Sequence, residues 1–513
     1  MRTLVITLYV LVLAACSSGG GGGTPVPAAP VFYATSTGVF VVDSDGNNRI
    51  QLTPDASSGD QYFGFALSPD RQWVAVLAAL NGETRRELYL VSAGGEHFTR
   101  VSVFSNAFSS INGILDEDAW SPGSNALVYL SDDTYENRDE IFAVSINSDN
   151  TFTAPQKING VIGAASNVYV RDPAWSYDGS HVAYRVLDGI DSIGVNTHEF
   201  GTTDGDLNFS VRVSKPRFTG TAEVGRLFAW SPVANQLVYQ GQVRGADDEL
   251  FIVGASENEA TYVADDRLVS SAGDNAYAPI WSDDGRYIAY RTLATATDPI
   301  AWKIFDSAMA IPNALKLVDD QGFFVSLDWV PGSNRISTYH NDGTGNLLTT
   351  INPDGSNRQE TPIEDIDTNV ALSPDGNLIT VTETLGPPTQ YRMLFIPPAD
   401  ATIQREILFS NSTTDINVSR QNSWSPDSDQ FIIERAETNT KLLELVNVGD
   451  GTAVTLDTDI DVSYVYQWAP DANKVCAAKV DGAAINDLIC MNRDGGGKVT
   501  ITMDIRSNTD FTF

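Results

Sequence analysis

The stretches PAWSYDGSHVAYR, residues 173–185, and PIWSDDGRYIAYR, residues 279–291, are two copies of one pattern. The pattern recurs as FALSPDRQWVAV (65–76), AWSPGSNALVYL (119–130), AWSPVANQLVYQ (229–240), DWVPGSNRISTY (328–339), ALSPDGNLITVT (371–382), SWSPDSDQFIIE (423–434) and QWAPDANKVCAA (467–478). Its anchor residues are Leu67, Trp120, Trp175, Trp230, Trp281, Trp329, Leu372, Trp424 and Trp468, spaced 43 to 55 residues apart. Seven of the nine tryptophans occupy this one slot. A reactive group is not copied seven times along a chain, whereas a packing group is. The pattern therefore describes architecture.

Each copy has a readable local structure. The anchor closes a short strand, and Ser-Pro-Asp-Gly makes a tight turn. There Pro presets φ, Asp bonds back to nearby backbone, and Gly accepts a positive φ. An alternating segment such as His181-Val182-Ala183-Tyr184 follows, with the two-residue period of a half-buried strand. Further on, segments such as GVFVVDSDGNNRIQLT (38–53), ELYLVSAGGEHFTRVS (87–102), ELFIVGASENEATYVA (249–264), LLTTINPDGSNRQETP (347–362) and DLICMNRDGGGKVTIT (487–502) each give a strand, a polar turn and a fourth strand. Four antiparallel strands about every fifty residues make the unit of a β-propeller blade.

The body of the chain opens with VFYATSTGVFVVDSDGNNRIQLT, strands two to four of a blade without the first, and closes with SNTDFTF, an anchor strand with Phe513 in the Trp slot. The two ends are expected to share one blade, which removes exposed strand edges. The expected fold is thus all-β, a propeller of about ten four-stranded repeats over 32–513, arranged as one large ring or two packed rings. The W-S-P-D-G-x-x-[VI]-A-Y run followed by a strand and a D-G turn resembles the WD-repeat-like propeller repeats of the TolB type. That resemblance implies a TolB-like fold. It does not imply TolB's role in the Tol–Pal system, because the α/β domain preceding TolB's propeller has no counterpart here.

MRTLVITLYVLVLAAC has one cationic residue and an apolar run too short to span a bilayer, the layout of an export signal over 1–15. Leu13-Ala14-Ala15-Cys16 resembles the lipobox of bacterial lipoproteins, which implies lipidation of Cys16. Residues 16–31, rich in Gly, Ser and Pro, read as a flexible tether. Ser17 stands where, in Gram-negative lipoproteins, Asp favours inner-membrane retention, so the resemblance points to the outer membrane. The formal net charge of −34 repels phosphates and anionic headgroups. Nucleic acid is therefore not an expected partner, and membrane contact is expected only through the lipid.

Reactive constellations are sparse. No G-x-S-x-G or H-E-x-x-H occurs, and His97, His181, His198 and His340 fall in different repeats without metal-ligand spacing. Neither a cofactor nor a metal is expected. Asp43-Ser44-Asp45-Gly46 sits at a repeat turn and lacks the glutamate of an EF-hand loop, so it reads as a turn, as do Asp70, Asp178, Asp375 and Asp427. Cys476 and Cys490 lie symmetrically about the turn near residue 483. They are placed for a disulfide in an oxidising compartment, or for a pair of small facing residues.

Aligned on the anchor, Arg171, Arg226 and Arg420 all fall four residues before it, with Asp116, Glu117, Asp172 and Asp328 nearby. These arginines could hold a carboxylate or phosphate of a ligand or partner at the channel rim, or pair with the neighbouring acids and steady the rim. The leading expectation is a lipid-anchored, non-enzymatic scaffold that binds an envelope protein or peptide. A carbohydrate- or small-ligand-active propeller using rim carboxylates, as in lyases and glycosidases, is the alternative. A ring that assembles only with copies of itself is a third reading.

Overall fold

In the computed structural model most anchor stretches form two antiparallel strands joined by a tight turn. In the copy at 173–185 the strands are Val168–Trp175 and Val182–Asp188. Between them Ser176 Oγ donates to Asp178 Oδ1 at 2.9 Å, and the same Asp178 oxygen accepts from Ser180 N at 2.9 Å. The turn closes when Gly179 N donates to Ser176 O at 2.9 Å. The same bonds recur around Asp70, Asp284, Asp375 and Asp427. Local side-chain bonding to backbone thus holds these hairpin turns.

The structure describes residues 30–104, 110–112, 117–135, 138–159, 168–188, 196–203, 210–212, 224–241, 248–255, 267–271, 273–293, 300–309, 314–320, 326–364, 366–386, 390–400, 402–409, 413–419, 422–437, 440–459, 462–481, 484–503, 505 and 511–513. Their strands form ten four-stranded antiparallel sheets. Nine of the sheets take four strands in sequence order, and we number these as blades 2 to 10 from the N-terminus. Blade 1 combines Pro30–Thr35, Gly38–Asp43 and Ile50–Gln51 with the C-terminal strand Phe511–Thr512. In it Phe32 opposes Thr512 and Tyr33 opposes Phe511. The strand begins at Pro30, inside the stretch assigned to the tether.

Apolar clusters join every consecutive pair of blades. Phe32 and Val41 of blade 1 pack with Val74 and Val76 of blade 2, and the series continues around to Cys476 and Leu488 of blade 10, which pack with Val31 and Tyr33 of blade 1. Blade 5 packs against blades 4 and 6, and blade 6 against blades 5 and 7. Such sequential contact, closed only between blades 10 and 1, makes one ring rather than two. The chain is a β-propeller.

The anchors sit between blades. Trp120, Trp175, Trp281, Trp329, Trp424 and Trp468 are all buried, as are Leu67 and Phe513, while Trp230 and Leu372 are half-buried. Each anchor indole donates to the carbonyl of the residue just before the anchor of the preceding blade. The pairs are Trp120 to Ala66 (3.1 Å), Trp175 to Ala119 (3.1 Å), Trp230 to Ala174 (2.9 Å), Trp281 to Ala229 (3.1 Å), Trp329 to Ile280 (3.3 Å), Trp424 to Ala371 (3.3 Å) and Trp468 to Ser423 (3.4 Å). The indole is thus an apolar wedge and a polar latch at once. In blades 3 and 9 the anchor is not the end of a continuous strand. Trp120 and Trp424 are held by single bridges to Leu127 and Phe431, and a short 3-10 turn, Glu117–Ala119, precedes Trp120.

Candidate functional site

Because successive strands alternate in direction, the connections between strands one and two and between three and four share one face of the ring. Those between strands two and three, and between one blade and the next, share the other. The first face is regular. It carries the Ser-x-Asp turns and third-to-fourth-strand turns such as Asp354 with Ser356 and Asp450 with Thr452, in which an Asp oxygen accepts from the backbone two residues on. The Asp43 turn belongs here, with Asn48 Nδ2 donating to Asp43 at 2.7 Å. Neighbouring turns also bond to each other, as Asn235 does to Asp178 (2.9 Å) and Asn334 to Asp284 (2.6 Å).

The second face is charged and differs from blade to blade. Three third strands carry a buried glutamate just before their apolar run, Glu87 and Glu249 at the strand start and Glu140 as the third residue. Glu87 accepts from Arg100 at 3.2 Å, from Tyr89 at 3.1 Å and pairs with Arg85 at 3.3 Å, and Glu140 pairs with Lys157 at 2.8 Å. Later blades use other positions for the same purpose. Asp274 is held by Tyr290 Oη at 2.8 Å and by Lys303. Glu444 takes a two-pronged contact from Arg435 at 2.7 and 2.9 Å. Asp457 is gripped by Lys479 at 2.8 Å, by Lys498, and by Tyr464 Oη at 3.1 Å.

Electrostatics follow from burial and pairing. Burial opposes ionisation of Asp457, but Lys479 and Lys498 outweigh it and hold the carboxyl below its usual range. At Glu383 burial dominates and raises the pKa in spite of Arg392. Burial, then the Asp274 charge, push the Tyr290 hydroxyl far above its ordinary value. These carboxylates are neutralised in place. No group of three or more His, Cys, Asp or Glu able to hold a metal occurs among the described residues.

The residues singled out from the sequence fare differently. Arg171 forms an ion pair with buried Asp139 of the preceding blade, and Asp172 pairs with Arg185. Asp328 is half-buried in a first strand opposite Ser337. Arg226 lies on the strand Val224–Trp230 and Glu117 in the 3-10 turn, with side chains outside the described set. Asp116, Arg420, Cys16 and the whole of 1–29 lie outside the described residues. No common cluster of the seven rim residues is therefore seen among the described residues. His181 is buried with Nδ1 2.7 Å from Ser180 Oγ. Cys476 and Cys490 oppose each other on neighbouring strands, with Cα atoms 4.1 Å apart and the sulfurs bonded.

Sequence reasoning missed Glu87, Glu140 and Glu249. The signal was there, an acid immediately before the apolar third strand in three repeats, but an acid at a strand end usually reads as a solvated boundary. Their cations come from other strands and could not be paired by spacing alone.

No family model matches the chain, and no curated protein does. Among solved structures, a eukaryotic initiation factor is similar with 10% identity over 93% of this chain and 96% of its own, at a TM-score of 0.50. A prolyl endopeptidase structure shares 12% identity over 75% of this chain and 57% of its own, at a TM-score of 0.37. The tricorn protease shares 10% identity over 92% of this chain and 46% of its own, at 0.34. The chain spans less than two thirds of the length of these two proteases. At such identities the likeness is one of fold alone.

Proposed function

We propose that the protein is a lipid-anchored component of a bacterial cell envelope, carried on Cys16 at the outer membrane, and that it binds a protein or peptide partner without catalysing a reaction. The observation that carries this reading is the difference between the two faces of the ring. One face repeats short Asp-bonded turns in many of the blades. The other varies from blade to blade, and its charges are fixed in internal pairs such as Glu444 with Arg435, which suits a rigid platform for recognition. An acidic surface with a net charge of −34 favours a partner with basic character.

Two experiments test it. Replacing Cys16 with Ser should move the protein from the membrane fraction to the soluble envelope fraction. In intact cells, a photocrosslinking residue at Glu83 or Leu293, both exposed on connections between second and third strands, should trap a discrete partner. The same probe at Asp354 or Asp450, on the turn face, should not. Equal trapping from both faces, or from neither, contradicts the proposal.

A further inference from the structure

The two most similar stretches of the chain, 173–185 in blade 4 and 279–291 in blade 6, both end in arginine. Arg185 and Arg291 occupy the same place. Each ends the conserved run on a second strand and opposes the residue four before the anchor, Arg171 in one blade and Tyr277 in the other. Both first strands carry a bulge at that point. The residue three before the anchor is left-handed in both, with φ of 53° at Asp172 and 50° at Ala278.

The chemistry differs at one position. In blade 4 the Asp172 carboxylate pairs with Arg185. In blade 6 the corresponding residue is Ala278, so a methyl group stands where the counter-ion stood. Arg291 has no ion pair among the described residues. Its guanidinium carbon lies 5.5 Å from the centroid of the Tyr277 ring, and its Nε is buried without a hydrogen-bond partner among the described residues. Trp302 opposes Arg291 on the third strand, so both side chains leave the same face of the sheet, the one turned toward blade 7. Trp302 is 3% exposed, and its indole N–H also lacks a partner among the described residues. The blade's own acid, Asp274, is engaged on the opposite face, where Tyr290 opposes Lys303.

We propose that Arg291 and the Trp302 indole form a binding site for a carboxylate at the seam between blades 6 and 7. Both groups are donors only, and one is a permanent cation, so the complement is an anionic acceptor. A carboxylate is the group that satisfies the equivalent arginine two blades earlier, on a backbone of the same shape. Its source is either a free small acid or the acidic side chain of a bound peptide. The site stands apart from the partner-binding reading, since it would serve a small metabolite equally well.

The test uses the full folded chain with 15N-labelled tryptophan, the Trp302 indole signal being assigned by its loss in Trp302→Phe. Acetate and a blocked Asp-containing dipeptide are titrated in turn against chloride at matched ionic strength. The Trp302 signal should shift saturably with a carboxylate and not with chloride. A response to acetate assigns a small acid, and a response to the dipeptide alone assigns an acidic side chain. Arg291→Met should weaken binding roughly tenfold or more, the loss of a charge-assisted contact. Ala278→Asp supplies an internal carboxylate while leaving Arg291 in place. It should fold, melt no lower than the parent, and also weaken binding roughly tenfold or more. No shift with either carboxylate, an equal shift with chloride, or undiminished binding in folded Ala278→Asp would overturn the site.

Discussion

The indole Nε1 of Trp175 donates to the carbonyl oxygen of Ala119 at 3.1 Å, across the boundary between two blades and 56 residues of chain. Six other anchor tryptophans repeat this bond from blade to blade. The acceptor is always the residue before the previous anchor, so each wedge is seated on the one behind it. This explains why tryptophan rather than another large apolar residue fills the slot.

Trp175→Phe should keep most of the apolar contact and lose the latch. The expected cost is about 1 kcal/mol for the hydrogen bond, with a further loss from the smaller ring. Trp175→Ala should cost about 3–5 kcal/mol. Denaturant unfolding of the two variants checks both values. Equal and negligible losses would show that the anchor is not a packing element.

Gly376 has φ of 69°, and a Cβ placed there would lie 2.1 Å from the Pro331 carbonyl oxygen of the preceding blade. Gly376→Ala therefore meets both a left-handed backbone and backbone atoms that cannot swing aside. A loss of more than about 1 kcal/mol is expected. Gly332 has a similar φ of 67° with nothing near its absent Cβ, so Gly332→Ala should cost less. Thermal melts of the pair separate strain from collision.

Acid should loosen the turn face. Burial raises the pKa of Asp178, but bonds from Ser180, Asn235 and Ser176 outweigh it and hold the carboxyl well below its ordinary 3.8. Asp284, Asp375 and Asp427 are depressed by the same balance. A depressed carboxyl stabilises the fold at pH values above its unfolded pKa, and that stability is lost as pH falls through the folded value. Melting temperature should stay level from neutral pH to about 4 and drop on further acidification. Asp178→Asn should flatten that drop.

Cys476 and Cys490 are fully buried and bonded, so neither should react with an alkylating agent in the native protein before reduction. With a sequence separation of 14, reduction should lower stability by roughly 3 kcal/mol on the chain-entropy account. Mass spectrometry of alkylated peptides and melts with and without reductant read the two effects.

The fold was legible because a propeller writes its repeat into local chemistry. In five copies a Ser and an Asp hold the hairpin turn within a few residues, and the anchor marks each seam. Sharing of one blade by the two ends was also readable, from what each end lacked. The choice between one ring and two was not, because equal spacing carries no record of which blade touches blade 1. Contacts of Cys476 and Leu488 with Val31 and Tyr33 settle it. The rim was least legible. Arg171 meets Asp139, 32 residues back in another repeat, and a charge partner of that kind is set by packing between blades rather than by spacing.

The central claim, one ring closed between the ends of the chain, is tested most directly where blade 10 meets blade 1. Lys474 Nζ lies 2.5 Å from Asp45 Oδ1, across 429 residues of sequence, and Asp45 is exposed. Zero-length carbodiimide coupling of the monomer, followed by peptide mass spectrometry, should join the Lys474 peptide to the Asp45 peptide within one chain. If the local pair Lys441 and Glu434, 3.2 Å apart, couples while Lys474 and Asp45 do not, the ring is open and the account fails.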